Sequence, residues 1–424
     1  MSGSRGRRPA PRKASRSQPA PAARRLAVVP DGRQPASQEH GPIRRVRAAD
    51  FWLLLSVAGL LCIGLVMIYS ASSNKTYLSF GDPYYYVKRQ ALFAVIGSFA
   101  LLVALNFPYQ RLRSLAKVIM AGAVGLLLLV LVPGVGSGPG GTQRWIDFGF
   151  ANLQPSEVAK LALVIFLAYL LSQSGRARSF TRGVLPALML VGAVFGLILM
   201  QPDLGTAIAC AVTGAAILFA AGSNLLHLGL VGAAAVPVVY WAIFSAEYRK
   251  LRFLAFLDPW ADPLDTGFHI IQSLYALGSG GLFGLGLGQG RQKFFYLPEQ
   301  HTDFIFAVIG EELGFVGAFV VIALFIVVAV RGYRIAAAAP DGFSRLLAAG
   351  VTSMIVMQAA INIGVVTSSI PVTGIPLPFI SFGGSSLMFS LAGVGLLLNI
   401  SRYGIARKSI KEGTAHVAAS RRRA

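Results

Sequence analysis

Asp303 closes the polar stretch Leu297-Pro298-Glu299-Gln300-His301-Thr302-Asp303, which runs straight into the apolar Phe304-Ile305-Phe306-Ala307-Val308-Ile309. An ionisable group where a membrane span meets water is costly to keep there, and so is a functional candidate by default. A carboxylate so placed can serve as a general base: apolar surroundings raise its pKa, while a helix N-terminus and nearby cations lower it. The plain alternative is that Thr302 or Asp303 caps the following helix. Ile305 and Phe306 stand three residues on, in place of the Glu or Gln of a capping box.

Glu157 and Lys160 form a second constellation, three residues apart on one helical face just after Pro155. They read either as a helix start with its charge neutralised or as a polar wall of a substrate cavity. Glu311 and Glu312 lie about 12 Å further along the helix from Asp303 at 1.5 Å per residue. Adjacent helical residues point about 100° apart, so these two are not expected to face one partner, and a catalytic pair with Asp303 is not expected at that depth.

Cations gather on the same side as Asp303. Arg249, Lys250, Arg252, Arg291 and Lys293 belong to 246–301, read as a long polar outer loop between the seventh and eighth spans, and Lys88, Arg89 and Arg144 join them from shorter connections. Each alone reads as a solvated surface charge; together they suggest an anionic ligand, most simply a phosphate or pyrophosphate. The glycines at 278, 280, 281, 284, 286, 288 and 290 let backbone approach a partner closely. No strand precedes them, which excludes a dinucleotide or P-loop site.

The elements that must hold these groups are membrane helices. The chain of 424 residues is 55% hydrophobic and 13% charged, with a mean hydropathy of +0.64, too apolar for a water-soluble domain. Ten apolar runs approach the roughly 20 residues needed to cross the bilayer: 51–71, 89–107, 114–133, 155–172, 183–200, 204–221, 228–245, 302–330, 346–367 and 379–401. An all-α polytopic fold of about ten transmembrane helices follows, since none alternates with a strand's period.

Charge orients the stack. Arg111, Arg113 and Lys117, then Arg176, Arg178 and Arg182, then Arg331, Arg334 and Arg345 fall on one side with both basic termini, which the positive-inside rule makes cytoplasmic. Residues 1–49 lack apolar periodicity and read as a disordered cytoplasmic tail, and 406–424 as a second basic tail. Despite the net charge of +21, no aromatic residues interleave with the arginines and no recognition fold follows, so nucleic acid is not an expected partner. Cys62 and Cys210 suggest neither a disulfide nor a metal site.

Two punctuated strings complete the pattern. Gln201-Pro202-Asp203-Leu204-Gly205 makes a tight turn whose Asp203 caps the next span. Pro371-Val372-Thr373-Gly374-Ile375-Pro376-Leu377-Pro378 leads into Ser381-Phe382-Gly383-Gly384-Ser385-Ser386 and predicts an irregular start to the last span. Membranes permit that only where protein or a cavity satisfies the backbone.

These strings, with Arg144-Trp145-Ile146, Gln154-Pro155-Ser156-Glu157-Val158-Ala159-Lys160 and His301-Thr302-Asp303-Phe304, resemble the SEDS family of shape, elongation, division and sporulation proteins over residues 50 to about 405. The basic extension and Ser385-Ser386 are more similar to the division branch than to the elongation branch. Phe268-His269 replaces the Tyr-Gln often seen in the family's outer loop. The resemblance implies a peptidoglycan glycosyltransferase that polymerises lipid II at the outer leaflet during division. Its partners would be a class B penicillin-binding protein, other divisome membrane proteins and membrane lipid.

By that carry-over Asp303 is the catalytic acid, acting as general base on the acceptor hydroxyl. Arg249 and Lys293 offset charge on the departing undecaprenyl pyrophosphate. Gln292, His301, Glu157, Lys160 and Ser385 are expected to contact substrate. A divalent cation, magnesium or manganese, is expected beside the diphosphate with its ligands left open, and no organic cofactor is implied. Two rival readings are a lipid II flippase lined by the intramembrane acids and Lys160, and a division scaffold that recruits and activates the crosslinking enzyme.

Overall fold

The computed structural model describes residues 43–45, 48–138, 142–149, 152–173, 175–292 and 300–405. In chain order its elements are β1 (Ile43–Arg45), α1 (Phe51–Phe80), α2 (Tyr85–Asn106), α3 (Tyr109–Leu129), β2 (Gly136–Ser137), β3 (Trp145–Asp147), β4 (Asn152–Leu153) and α4 (Pro155–Leu171). There follow α5 (Leu185–Leu199), α6 (Leu204–Ala220), α7 (Leu225–Phe244), α8 (Glu247–Leu257), α9 (Phe268–Ser279), α10 (Ile305–Ala337), α11 (Gly342–Val366), α12 (Gly384–Ser401) and β5 (Tyr403–Ile405). Each of the ten apolar runs is a helix, α1 to α7 and α10 to α12. Eight are long and apolar enough to cross a membrane, taking α5 with the π-helical turn before it; α4 and α6 have 17 residues each. The chain is an all-α, multi-pass membrane protein.

One end of the bundle gathers the basic connections. Arg331 on α10 binds Asp50 at the start of α1. The Tyr109 hydroxyl donates to Asp341 Oδ2 at 2.7 Å, and Arg402 Nη1 reaches Asn106 Oδ1 at 3.4 Å. The starts of α1, α3 and α11 and the ends of α2, α10 and α12 therefore share a side, as the charge pattern requires. Residues 43–45 fall within the expected tail yet pair antiparallel with β5, Ile43 opposite Ile405. The end of α12 brings that second segment alongside, and the two satisfy each other's backbone groups. Residues 1–42, 46–47 and 406–424 of the two expected tails lie outside the described residues.

Enclosure is uneven. α11 and α12 form the centre, with α12 packed along α2 and Gly395 so close to the Leu101 carbonyl that a Cβ there would stand 2.4 Å from it. Small residues let membrane helices approach in this way. By contrast α7 has one buried residue, Ala242.

The segment 246–301, expected as a polar loop, is folded over much of its length. α8, a 3-10 turn at Pro259–Ala261 and α9 occupy it. α9 buries Ile270, Ile271, Ser273 and Ala276 on one face, a short helical period that the glycines downstream obscure.

Span eight differs too. It starts at Ile305 and is broken at Gly314, where φ is 68° and ψ −165°. The glycine-rich segment enters the break: Leu285 and Gly286 N–H groups donate to the carbonyls of Glu311 and Glu312, each at 3.0 Å, and Phe315 and Val316 N–H groups donate to the carbonyls of Gly281 and Leu282 at 2.9 and 3.1 Å. The groups freed by the break are thus satisfied by protein, as a bilayer demands. Both acids hold the same segment. Glu311 Oε1 accepts from the N–H groups of Arg291 (2.7 Å) and Gln292 (3.1 Å), and Glu312 Oε2 from Gly288 N–H (3.1 Å) and Ser70 Oγ (2.5 Å). The expectation that Glu311 and Glu312 could not share a partner fails because that partner is a folded segment wrapped round the helix end.

Gly314→Ala is expected to destabilise the protein by at least about 1–3 kcal/mol, since a left-handed backbone disfavours any Cβ and this one would stand 2.3 Å from Gly284 N. Thermal melting in detergent reads the loss. Faster amide exchange at Leu285 and Gly286 would place it at the break.

Candidate active site

The turn carrying Asp303 is pinned through its backbone. The carbonyl of His301 accepts from Phe382 N–H at 2.9 Å, that of Thr302 from Ser381 Oγ at 2.5 Å, and that of Asp303 from Asn362 Nδ2 at 2.7 Å. Asn362 also donates to the Ile375 carbonyl at 2.8 Å, tying the Asp303 turn to the proline-rich segment from a buried position on α11. Gln300 Nε2 adds a bond to the Ala71 carbonyl at 2.6 Å. Helix α10 starts after Phe304, one residue beyond Asp303, with no side-chain cap from its N-cap position. The segment after α11 is irregular, as expected, and Gly374 takes a left-handed φ of 73° beside the carboxylate.

That carboxylate faces two cavities of about 480 Å³ each, which share Arg144, Asp203, Asp303 and Gly374 in their walls. The first adds Tyr86, Arg89, Trp145, Asn152, Gln154 and Ser386. The second runs between α6, α7, α8 and the segment after α11, adding Val239, Ile243, Tyr248, Arg249 and Arg252. Its α7 wall is almost wholly uncovered by other elements, so on that side a single helix separates the cavity from lipid.

Cations line both chambers. Arg144 anchors the start of β3 by donating to the carbonyls of Gln201 (2.9 Å) and Pro202. Arg249 donates Nη2 to Ser245 Oγ at 3.2 Å and lies over the Tyr248 ring, while its Nε and Nη1 are buried with no hydrogen-bond partner among the described residues. Buried guanidinium nitrogens are rarely left so, and here they face a cavity large enough for an anion. Lys88 has other work: it pairs with Asp82 at 2.8 Å, and its ammonium, with the Tyr84 N–H, holds the Asp82 carboxyl below the usual carboxylate range.

Other residues singled out by sequence lie further off. Glu157 and Lys160 pair at 2.8 Å, each 4% exposed, and Lys160 donates to Gln358 Oε1 at 2.7 Å. Neither lines either of the two cavities beside Asp303. Gln358 relays the contact, donating to the Pro376 carbonyl at 2.9 Å and approaching Ser386 Oγ at 3.4 Å, both in the first cavity's wall. Ser385 holds the entry to α4, donating to the Asn152 carbonyl (2.9 Å) and accepting from Gln154 N–H (3.1 Å). His301 stacks on Tyr86 with centroids 4.3 Å apart, supporting a ring of the cavity wall from behind. Gln292 sits on Glu311 away from both cavities, and Lys293 lies outside the described residues. Asp203 caps α6 through Thr206 N–H at 3.1 Å.

Asn362 and Gln358 were not singled out by sequence. Their only signal was an amide inside an otherwise apolar run.

The family model described as "Cell cycle protein", covering FtsW, RodA and SpoVE, matches residues 51–405. The chain belongs to that family. It is 49% identical over 355 residues to Stage V sporulation protein E of Bacillus subtilis (strain 168), covering 84% of this chain and 97% of that one. It is 44% identical over 361 residues to the probable peptidoglycan glycosyltransferase FtsW of Geobacter metallireducens, covering 85% and 96%. Among solved structures, a peptidoglycan synthase complex that coordinates polymerization and crosslinking superposes with a TM-score of 0.69 at 31% identity, covering 84% of this chain and 98% of the other. The rod shape determining protein RodA of Thermus thermophilus gives 0.62 at 31% identity, covering 84% and 97%.

Proposed function

We propose that this chain is a peptidoglycan glycosyltransferase that polymerises lipid II at the membrane face opposite its termini, with Asp303 as the general base. One observation carries the reading: Asp303 stands on the wall shared by two cavities of equal size, one of them rich in arginine and bounded by lipid-exposed α7. A glycan polymerase needs that arrangement. Two lipid-linked saccharides must meet at one carboxylate, and the departing diphosphate needs cations.

The chemistry follows. The acceptor's GlcNAc 4-hydroxyl oxygen bonds to the donor's anomeric carbon, the bond from that carbon to the diphosphate oxygen breaks, and the hydroxyl proton passes to Asp303. An α-linked donor becomes a β-1,4 glycan by one inverting displacement, so no carboxylate nucleophile is required. Arg249 and Arg252 offset charge on undecaprenyl pyrophosphate as it leaves, with Arg144 between the chambers. Lys293 is proposed to join them.

A resident metal is not supported, because no group of three His, Cys, Asp or Glu among the described residues could hold one. A magnesium or manganese ion arriving with the diphosphate needs only one or two protein carboxylates, and Asp203 lines both cavities. No step above runs through it.

The basic connections support a cytoplasmic position for both termini, with the active mouth on the opposite face. The identities of 44–49% to relatives named FtsW and SpoVE support a septal role with divisome partners. The synthase complex, which coordinates polymerization with crosslinking, supports a class B penicillin-binding protein as partner.

The test is purified protein with a crosslinking partner in liposomes containing labelled lipid II. Glycan polymer is expected. Transfer of label between leaflets without polymer would favour a flippase, and neither activity would favour a scaffold.

A further inference from the structure

The end of the bundle opposite Asp303 holds a cavity of about 410 Å³ that the glycosyl-transfer reading leaves unused. Asp50, Phe51 and Trp52 line it from the start of α1, Arg331 and Arg334 from the end of α10, and Ser401 from the end of α12. Its charges do not cancel. Asp50 is the acid of the group, and it is fully engaged: Oδ1 caps α1 through Leu53 N–H at 3.0 Å, and both oxygens accept from Arg331 Nε and Nη2. Arg334, three residues on and on the same helical face, has no acidic or hydrogen-bond partner among the described residues. The cavity therefore carries one uncompensated guanidinium, with Arg331 Nη1 beside it.

Its depth identifies the ligand. Phe51 and Trp52 are 65% and 58% exposed on the first turn of a membrane-spanning helix, where aromatic side chains mark the level of lipid headgroups. A basic pocket between helix ends at that level suits an anionic headgroup. Guanidinium nitrogens match phosphodiester oxygens in pairs, and the two aromatic rings flank the acyl chains. We propose that this cavity binds the phosphodiester headgroup of an anionic phospholipid from the leaflet on the terminus-bearing side. The site is remote from Asp303 and depends only on the chain spanning the membrane.

Native mass spectrometry of the full chain tests it, by titrating phosphatidylglycerol or phosphatidylcholine into the detergent-solubilised protein. Wild type is expected to retain one phosphatidylglycerol more tightly than any phosphatidylcholine. Arg334→Gln is expected to weaken that binding about fivefold, the effect of one basic side chain near an anionic surface, and Arg334→Glu more strongly. Arg182→Gln, an exposed basic position at the same end but outside the cavity, is expected to leave it unchanged. Arg334 is itself exposed, so its variants should melt as wild type does. Equal retention of the two lipids, or equal losses for Arg334→Gln and Arg182→Gln, overturns the proposal in favour of a diffuse basic surface. Displacement of the lipid by millimolar glycerol phosphate overturns it in favour of a soluble anion. None of these outcomes depends on polymerase activity.

Discussion

Asp303→Asn is expected to lower glycan polymerisation by roughly 10²–10⁴-fold, the usual worth of a positioned general base, while leaving folding and partner binding intact. The substitution is nearly isosteric. The carbonyls of His301, Thr302 and Asp303 accept hydrogen bonds that hold this turn, and the substitution leaves all three in place. Arg144, Arg249 and Arg252 remain in place to bind diphosphate, and labelled lipid II should still be retained. Gel analysis of polymer, a thermal melt and co-purification with the crosslinking enzyme read the three effects separately. Polymer at the native rate would refute the base assignment. Loss of polymer together with a lowered melting point would instead mean that the carboxylate supports the turn.

Much of this arrangement was legible before the structure because its causes are local. An apolar run of about 20 residues must become a helix in lipid whatever its neighbours do, and all ten runs did. Asp203 caps α6 as its turn residues imply. The start of the last span is irregular where Pro371, Pro376, Pro378 and the glycines at 383 and 384 deny it a regular backbone. Asp303 stood out because a charge at a span boundary is unusual in itself.

What remained hidden was set by contacts distant in sequence. The break at Gly314 exists because residues 281–286 fill it, and nothing around Gly314 itself announces that. Asn362 can be read as a polar residue in an apolar helix, but its partners lie 59 and 13 residues away. Glu157 and Lys160 were recognisable as a pair, and only the fold shows that Gln358 stands between them and the cavity. Arg249 was one of several loop cations until the folding of α8 set it beside the chamber that Asp303 faces.

Lys160→Met is expected to destabilise the protein by about 3–5 kcal/mol in detergent, the loss that follows when one partner of a buried ion pair is removed. The ammonium lies 2.8 Å from Glu157 Oε1 and 2.7 Å from Gln358 Oε1, with both charged side chains 4% exposed. Methionine fills much of the same space but leaves the Glu157 carboxylate buried and unpaired. It also frees Gln358, whose amide fixes the Pro376 carbonyl in the wall of the first cavity. The double variant Glu157→Gln, Lys160→Met should recover most of the loss, because no net charge then stays buried. Polymerisation by each variant should follow the folded fraction, since neither side chain reaches the cavity. If Lys160→Met instead melts as wild type does and still fails to polymerise, the ammonium acts on substrate, and the cavity must open further toward α4 when substrate is bound.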